Sequence, residues 1–465
     1  MLLGFVACED YLDVKPKSQV EADELFSDEG GYEDALWGAY GLMTKTSLYG
    51  RELTFGTVDV LAQTYYSTGS GSSTYDEMRM YNYENASVES TFNSIWSGMY
   101  NVIANVNNMI RHIVVDDTTK FSANRYNVYL GEAYALRAYL HFDLLRLYAP
   151  AYSVNPEAMA IPYITQYTYN PTPSSTVKVV LDSVVSDLTK AANLLSVSDP
   201  IVTGEEITNA EDLFMLNRHF HMNYYAVKAT LARVYMYMGM TTEASTCAKE
   251  VIESGLFTWT TQDKVAHQDE VEQDRIFSPE HIFALQIENL EDYYQNYLND
   301  TKVAGLSLLI SDNYLDNRFP PATHEFDYRR VYSYSTYAQN STSERYCKKL
   351  WQVENGNEDY AKRMPLIRLP EMILIAAEAD IFDTAIYLNE LRTARGITTT
   401  VDYMTDEELM AEIRAEYIRE FTCEGQLFYY YKRNNSTTMD GLVGEFNTEL
   451  YVLPLPEEEI EFGNR

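Results

Sequence analysis

Apolar residues recur along this chain at helical spacing, in blocks separated by long aperiodic stretches. One block departs from the usual single apolar face. In residues 131–150, "GEAYALRAYLHFDLLRLYAP", Ala133, Leu136, Leu140, Leu144 and Leu147 form one stripe, and Ala135, Ala138, Phe142 and Leu145 form a second. Only Glu132, Arg137, His141, Asp143 and Arg146 interrupt them with charge or a titratable ring. A helix that is apolar on two sides needs neighbours on two sides. The other helical blocks are 30–43, 91–113, the lead-in from 125, 175–195, 223–255, 369–396 and 405–425. The 223–255 block splits at Gly239. Ala226, Ala229 and Ala232 precede the split, Tyr235 stands beside it, and Ala244 and Ala248 follow. Small residues around a glycine turn match the tetratricopeptide pattern, in which each helix touches both its own partner and the next repeat. The prediction is a mostly α chain with stacked helix pairs.

The intervening stretches read differently. Residues 44–90 carry "QTYYSTGSGSSTYDEMRMYNYEN", and 150–174 hold five prolines. Between 256 and 368 helical period is lost, and "IFALQIE" (282–288) and "RYCKKLWQ" (345–352) read as short strands. Loops of this length in a compact protein usually carry function, and their aromatic content argues for order.

Composition narrows the partners. A formal charge of −34 over 465 residues repels nucleic acid phosphates and anionic membrane surfaces, which excludes both, and works more weakly against strongly anionic polysaccharides. Tyrosine stands out, with 40 Tyr against 18 Phe and 4 Trp. Its apolar ring and polar tip suit both helix contacts and wet binding surfaces. The cysteines at 8, 247, 347 and 423 have neither C-x-x-C nor metal-ligand spacing, and Cys247 reads as a small buried thiol. Cys8 ends the apolar run "MLLGFVA" and precedes Glu9 and Asp10, as in a bacterial lipoprotein signal cleaved ahead of a lipidated cysteine. No other stretch approaches the ~18 apolar residues of a membrane span, so an acyl chain on Cys8 is the expected anchor. His219 and His221 form H-x-H without an evident third ligand and read as structural; no metal and no cofactor are expected. No G-x-S-x-G, P-loop or dinucleotide fingerprint occurs.

Several blocks then fall into a known order: "ACEDYLDVKPKSQ", "FDLLRLYAP" with "AIPYIT", "NPTPSSTVKVVLDSVVSDLTKA", "PLIRLPEMILIAAEA" with "LNELRTARG", "REFTCEGQLFYYYKR" and "LYVLPLPEEEI". Together they resemble the SusD/RagB family of nutrient-uptake lipoproteins over nearly the whole chain. The resemblance implies a tetratricopeptide-like helical scaffold, an irregular loop-rich binding side and a few short strands. It implies a non-catalytic cell-surface lipoprotein that captures oligosaccharide or polysaccharide and passes it to a SusC-like TonB-dependent outer-membrane transporter. Glu9 and Asp10 look like that group's surface-export signal. The expected organisation is a truncated signal over 1–8 and one domain over 9–465, with the scaffold mainly in 30–43, 91–255 and 369–425 and the binding side mainly in 44–90 and 256–368.

Pyranose C–H faces stack on aromatic rings while flanking polar groups hold hydroxyls. The candidate ligand residues are therefore Asp59, Tyr65, Tyr66, Tyr75, Arg79, Tyr81 and Tyr83 in the first aromatic region, with Asp59 placed by the resemblance. Tyr293, Tyr294, Gln295, Asn296 and Tyr297 supply the second. For each tyrosine the competing expectation is plain loop packing. Trp96 reads as core and Trp351 is open between core and site. Two other functions compete: a helical-repeat adaptor that binds protein or peptide on its helical face, and a glycoside hydrolase, which needs two carboxylates about 5–10 Å apart across a cleft.

Overall fold

The computed structural model describes residues 22–65, 73–298, 308–336, 344–353, 356–402, 404–442 and 444–463. Its main helices are α1 (Glu29–Met43), α2 (Ala86–Ile113), α3 (Arg125–Tyr148), α4 (Val177–Leu195), α5 (Tyr224–Tyr237), α6 (Thr241–Glu253), α7 (Leu369–Ala379), α8 (Thr384–Ala394) and α9 (Asp406–Glu420). Side-chain caps begin several of them, although Asn124 makes none on α3. Asn85 caps α2, Thr176 caps α4, Asn223 caps α5, and Thr405 with Glu408 makes a reciprocal capping box on α9. Gly239, at φ +73°, turns α5 into α6. Successive helices pack as a stack, α2 on α3, α3 on α4, α4 on α5, α5 on α6, α6 on α7 and α7 on α8. The 369–396 block is two helices rather than one. Thr384, whose hydroxyl donates to the Ala377 carbonyl at 2.7 Å, closes the turn between them.

Helix α3 lies inside this stack, and every residue from Val128 to Tyr148 except Tyr134 is buried. Its polar residues are buried with partners, as burial of such groups demands. The Tyr40 hydroxyl donates to Glu132 at 2.6 Å, and Arg218 pairs with the same carboxylate at 2.6 Å. Arg137 pairs with Asp187 at 2.8 Å, and Asp143 takes the Tyr49 hydroxyl at 2.7 Å and pairs with Arg146. His141 accepts the Ile164 N–H on Nε2, so its Nδ1 carries the hydrogen given to the Arg137 carbonyl.

Strand β1 (His281–Gln286) pairs antiparallel with β2 (Arg363–Arg368), His281 opposite Arg368 and Gln286 opposite Arg363. A smaller sheet joins Ile310–Ser311 and Tyr334–Thr336 to Glu344–Cys347. "RYCKKLWQ" is thus a strand only in its first part. Strand β2 has no counterpart among the expected elements, although it leads straight into α7 at Leu369.

That junction explains why the charged positions of the ordered motifs sit where they do. Arg368 of "PLIRLPE", Arg395 of "LRTARG" and Glu420 and Glu424 of "REFTCEG" meet in the core with Glu280. Arg368 reaches Glu420 at 2.8 Å, Glu424 at 2.6 Å and Glu280 at 3.0 Å; Arg395 reaches Glu280 at 2.7 Å and Glu420 at 2.8 Å. Arg329 adds contacts to Glu416 at 2.8 Å and Glu420 at 3.0 Å. The network ties β1, β2, α8 and α9 together.

These buried groups set an acid limit. Burial opposes ionisation of Glu132 and Glu416, but Arg218 beside the first and Arg329 beside the second bring each down to about 2. Burial also pushes His141 down to about 3. In the unfolded chain His141 binds a proton below about pH 6.5 and the glutamates below about pH 4.3, where the folded chain does not. Burial lowers His219 and His281 as well. Together these rings outweigh Asp59, whose buried carboxyl is raised to about 8 and works the other way. Stability is therefore expected to fall from about pH 6.5 and more steeply below about pH 4.5. Urea midpoints measured across that range check it.

Candidate functional site

The segment after α1 turns on itself through 44–56 and enters the helical turn Thr57–Leu61. Glu52, 3% exposed, organises its outer edge. Its carboxylate accepts the Thr57 N–H at 3.1 Å and the Tyr75 hydroxyl at 3.0 Å, and pairs with Arg51 at 2.7 Å. Arg51 then donates to the Tyr297 hydroxyl at 2.7 Å, with its guanidinium carbon 4.9 Å from that ring's centroid. Tyr75 and Phe55 lie tilted against the same ring, at 5.7 and 6.4 Å between centroids. Burial works against the Arg51 charge, but Tyr75, Glu52 and Tyr297 outweigh it and hold the guanidinium protonated. The Arg51 side chain keeps 24% exposure, and Tyr297 and Tyr293, one turn earlier on the Leu290–Gln295 helix, are half-buried. A preset guanidinium beside a half-open phenol can stack on an apolar ring face and donate to its hydroxyls.

The structure separates the residues expected to form the site. Tyr293 and Tyr297 keep an open edge, and Gln295 and Asn296 are exposed, with their amides bonded to Glu291 and to the Asp292 carbonyl. Arg79 is half-exposed and makes no ion pair with a described residue. Tyr66 and Cys8 lie outside the described residues.

Four others are corrected to structural roles. Asp59 is fully buried and accepts the Cys423 N–H at 2.7 Å and the Gly425 N–H at 3.1 Å. Burial pushes its pKa up to about 8, against the pull of those two donors. Tyr65 is 2% exposed and bonds the Phe55 carbonyl at 2.8 Å. Tyr75 serves Glu52, and Tyr294 is fully buried on the Cys347 carbonyl at 3.0 Å. A ring with no open face cannot stack on a sugar. Tyr81 and Tyr83 are half-buried, with hydroxyls tied to the Leu61 and Leu450 carbonyls and rings packed on Phe446 and Phe92. Both are better placed to brace the site than to touch a ligand.

Arg51 and Glu52 are candidate positions that sequence reasoning passes over. The signal is present in "LYGRELTFG", an adjacent opposite-charge pair inside an otherwise apolar, tyrosine-flanked run. Trp351 is half-buried beneath two cations, the Arg275 guanidinium at 4.9 Å and the Lys348 ammonium at 5.9 Å. Trp96 is core, packed edge-on against Tyr148.

Asp59 joins the site's support to "REFTCEG" through the Gly425 N–H. Gly425 stands at φ +72°, and a Cβ there would come 2.5 Å from the Leu53 carbonyl oxygen and 3.0 Å from Thr54 Cα. Gly425→Ala is therefore expected to cost about 2 kcal/mol or more of stability, read from a denaturant midpoint.

A larger cleft, about 1010 Å³, lies elsewhere, on the N-terminal half of α2. Ser90, Asn93 and Ser97 line one wall; Tyr169, 92% exposed, and Phe462 stand at its rim. Among the described residues no helix is long and apolar enough to cross a membrane, and no group of His, Cys, Asp and Glu is arranged to hold a metal ion.

Known proteins share this architecture. A family model described as starch-binding and associating with the outer membrane matches residues 10–236, and the SusD family model matches residues 313–462. The SusD-like protein P38 of Formosa agariphila is 25% identical over 263 residues, which span 56% of this chain but only 44% of that protein. Among solved structures, a SusD-like carbohydrate binding protein from Bacteroides vulgatus superposes with a TM-score of 0.71 at 19% identity, over 94% of this chain and 96% of that one. A SusD superfamily protein from Bacteroides thetaiotaomicron gives 0.70 at 23% identity, over 93% and 98%. Surface glycan-binding protein A from Bacteroides fluxus gives 0.69 at 18%, over 93% and 96%. With residues 10–236 and 313–462 matched by models of one family, most of the chain is covered, and it belongs to the SusD family.

Proposed function

We propose that this protein is a non-catalytic carbohydrate-binding protein of the cell surface, held to the outer membrane through a lipid on Cys8. In this reading it captures oligosaccharide and passes it to a SusC-like TonB-dependent transporter. The observation that carries the binding role is the Arg51–Tyr297 pair, with a phenol ring set against a guanidinium at a half-open edge and Tyr293 one turn away. The names of the relatives, a starch-binding family and carbohydrate- and glycan-binding proteins, point the same way.

Stacking on two phenols with wet polar contacts favours modest affinity, because hydroxyls must shed water and the ligand must be ordered. Weak capture suits a protein that hands its ligand on. The carboxylate nearest the pair, Glu52, is saturated by Arg51, Tyr75 and Thr57, which leaves it a scaffold group rather than an acid or base.

Calorimetry with neutral oligosaccharides, together with affinity purification of the lipidated protein from outer membranes, tests the proposal. Binding of at least one glycan without its hydrolysis, and recovery of a TonB-dependent transporter, are expected. Turnover of a bound glycan, or no glycan bound and no transporter recovered, would reject it. The α2 cleft with its exposed Tyr169 and Phe462 favours a second reading, a protein- or peptide-binding face on the helical side.

A further inference from the structure

A cleft of about 610 Å³ lies between the 200–219 segment and the β1–β2 sheet, built from residues unrelated to the Arg51–Tyr297 edge. Its walls include Leu216, Leu256 and Phe257, and its floor is nitrogenous, with Arg363, His219 and His281. Such a floor is unexpected in a chain of net charge −34.

Two of the three hold a buried nitrogen without a partner, and the third is a half-buried guanidinium. Arg363 opens β2 with its guanidinium carbon 5.1 Å from the Phe220 ring centroid, and it makes no ion pair or side-chain hydrogen bond with a described residue. Two neighbouring buried guanidiniums are matched: Arg218 by Asp199 at 2.9 Å and Glu132 at 2.6 Å, Arg368 by three glutamates. His219 keeps a buried Nε2 with no partner. His281 is 3% exposed; its Nε2 donates to the Ile276 carbonyl at 2.9 Å, which leaves Nδ1 as a buried lone pair with no donor. Burial holds both rings neutral, bringing His219 to about 4 and pushing His281 well below the usual histidine value. The cleft's carboxylates, Glu205 and Asp359, are exposed; Asp274 behind it accepts the Ser278 N–H and hydroxyl on one oxygen and keeps the other buried without a hydrogen bond.

Buried polar atoms left unpaired are costly, so the two histidine nitrogens favour a ligand that satisfies them while meeting the Arg363 charge. The Arg363 guanidinium is a donor, His219 becomes a second in its Nε2–H tautomer, and the His281 Nδ1 is an acceptor. We propose that this cleft binds an oxyanion carried beside a hydroxyl, the pairing found on a uronic acid or a sulfated sugar. The oxyanion bridges Arg363 and His219, the neighbouring hydroxyl donates to His281, and the ligand's C–H face rests on Leu256 and Phe257. The chain's overall charge disfavours a polyanion laid across its surface, but a single charged residue seated here meets a local cation.

Calorimetry on the full chain tests this with glucuronic acid, galacturonic acid, glucose 6-sulfate and glucose. An acidic sugar is expected to bind about tenfold or more tightly than glucose, and Arg363→Gln to remove that preference. The ratio between the uronic acids and the sulfate ester identifies which oxyanion the cleft is shaped for. Arg363 begins its strand and is only half-buried, so its loss leaves the core intact. His219→Leu is a second variant, expected to weaken the acidic sugars alone. Ring ¹⁵N resonances should shift at His219 and His281 on binding and stay put with glucose. Equal binding of glucose and the acidic sugars, no binding of any acidic sugar, or an Arg363→Gln protein with unchanged preference would overturn the proposal. Because Arg51→Ala leaves this cleft untouched, it should weaken neutral-glycan capture about tenfold or more without changing the acidic-sugar signal, which keeps the two proposals separable.

Discussion

Glu420→Gln is expected to lower the stability of the whole chain by about 3–5 kcal/mol, a large effect for the exchange of one oxygen for an amide nitrogen. The carboxylate is fully buried and faces Arg368, Arg395 and Arg329 within 3.0 Å. Burial opposes its charge, and Arg395, Arg368 and Arg329 hold its pKa well below the usual carboxylate range. Gln keeps the shape and removes the charge, so three guanidiniums lose a shared counterion in a place water cannot reach. Breaking a buried network by removing one member costs more than the network contributes against an apolar alternative, because the remaining charges stay desolvated. Lys178→Ala, which cuts the exposed Lys178–Asp182 pair, should leave the midpoint unmoved. Parallel urea melts of the two variants give the comparison. The acid side follows the same logic: a group depressed by its partners stabilises the fold above its unfolded pKa and loses that contribution as pH falls through its folded one.

Tyr297→Ala is expected to weaken oligosaccharide binding about tenfold or more, because it removes both the stacking face and the acceptor that orients Arg51. Arg51→Ala should do the same, and Arg51→Lys should fall between, since an ammonium keeps the charge but not the planar contact with the ring. Tyr83→Phe serves as the contrast. It loses the hydrogen bond to the Leu450 carbonyl, about 1 kcal/mol of stability, and no affinity. Thermal melts recorded beside the titrations separate lost binding from lost folding, since Arg51→Ala leaves Glu52 with one partner fewer.

The helical stack is legible in the sequence because its residues announce their surroundings locally. The double stripe of 131–150 demands neighbours on two sides, and α3 has them; Gly239 marks the α5–α6 turn, and its φ of +73° is the reason glycine stands there. The binding side is legible only as a region. A tyrosine reads the same whether its ring is buried or open, and which it is depends on contacts far away in sequence. Tyr294 is buried because Cys347 offers a carbonyl 53 residues on, whereas Tyr297, three positions later, meets Arg51 from 246 residues back. Asp59 is placed by resemblance on the ligand side, yet its carboxylate holds the backbone of Cys423 and Gly425, 364 and 366 positions downstream. Strand β2 is hidden because Pro365 sits within it and its apolar run continues directly into α7.

The central claim, that neutral saccharide is gripped at the loop-built edge rather than on the helical face, is tested most directly by hydroxyl-radical footprinting of the tyrosines with and without a bound oligosaccharide. Protection of Tyr293 and Tyr297, with Tyr169 as reactive as before, is the predicted result. Protection of Tyr169 in the α2 cleft, with Tyr293 and Tyr297 unchanged, would contradict it.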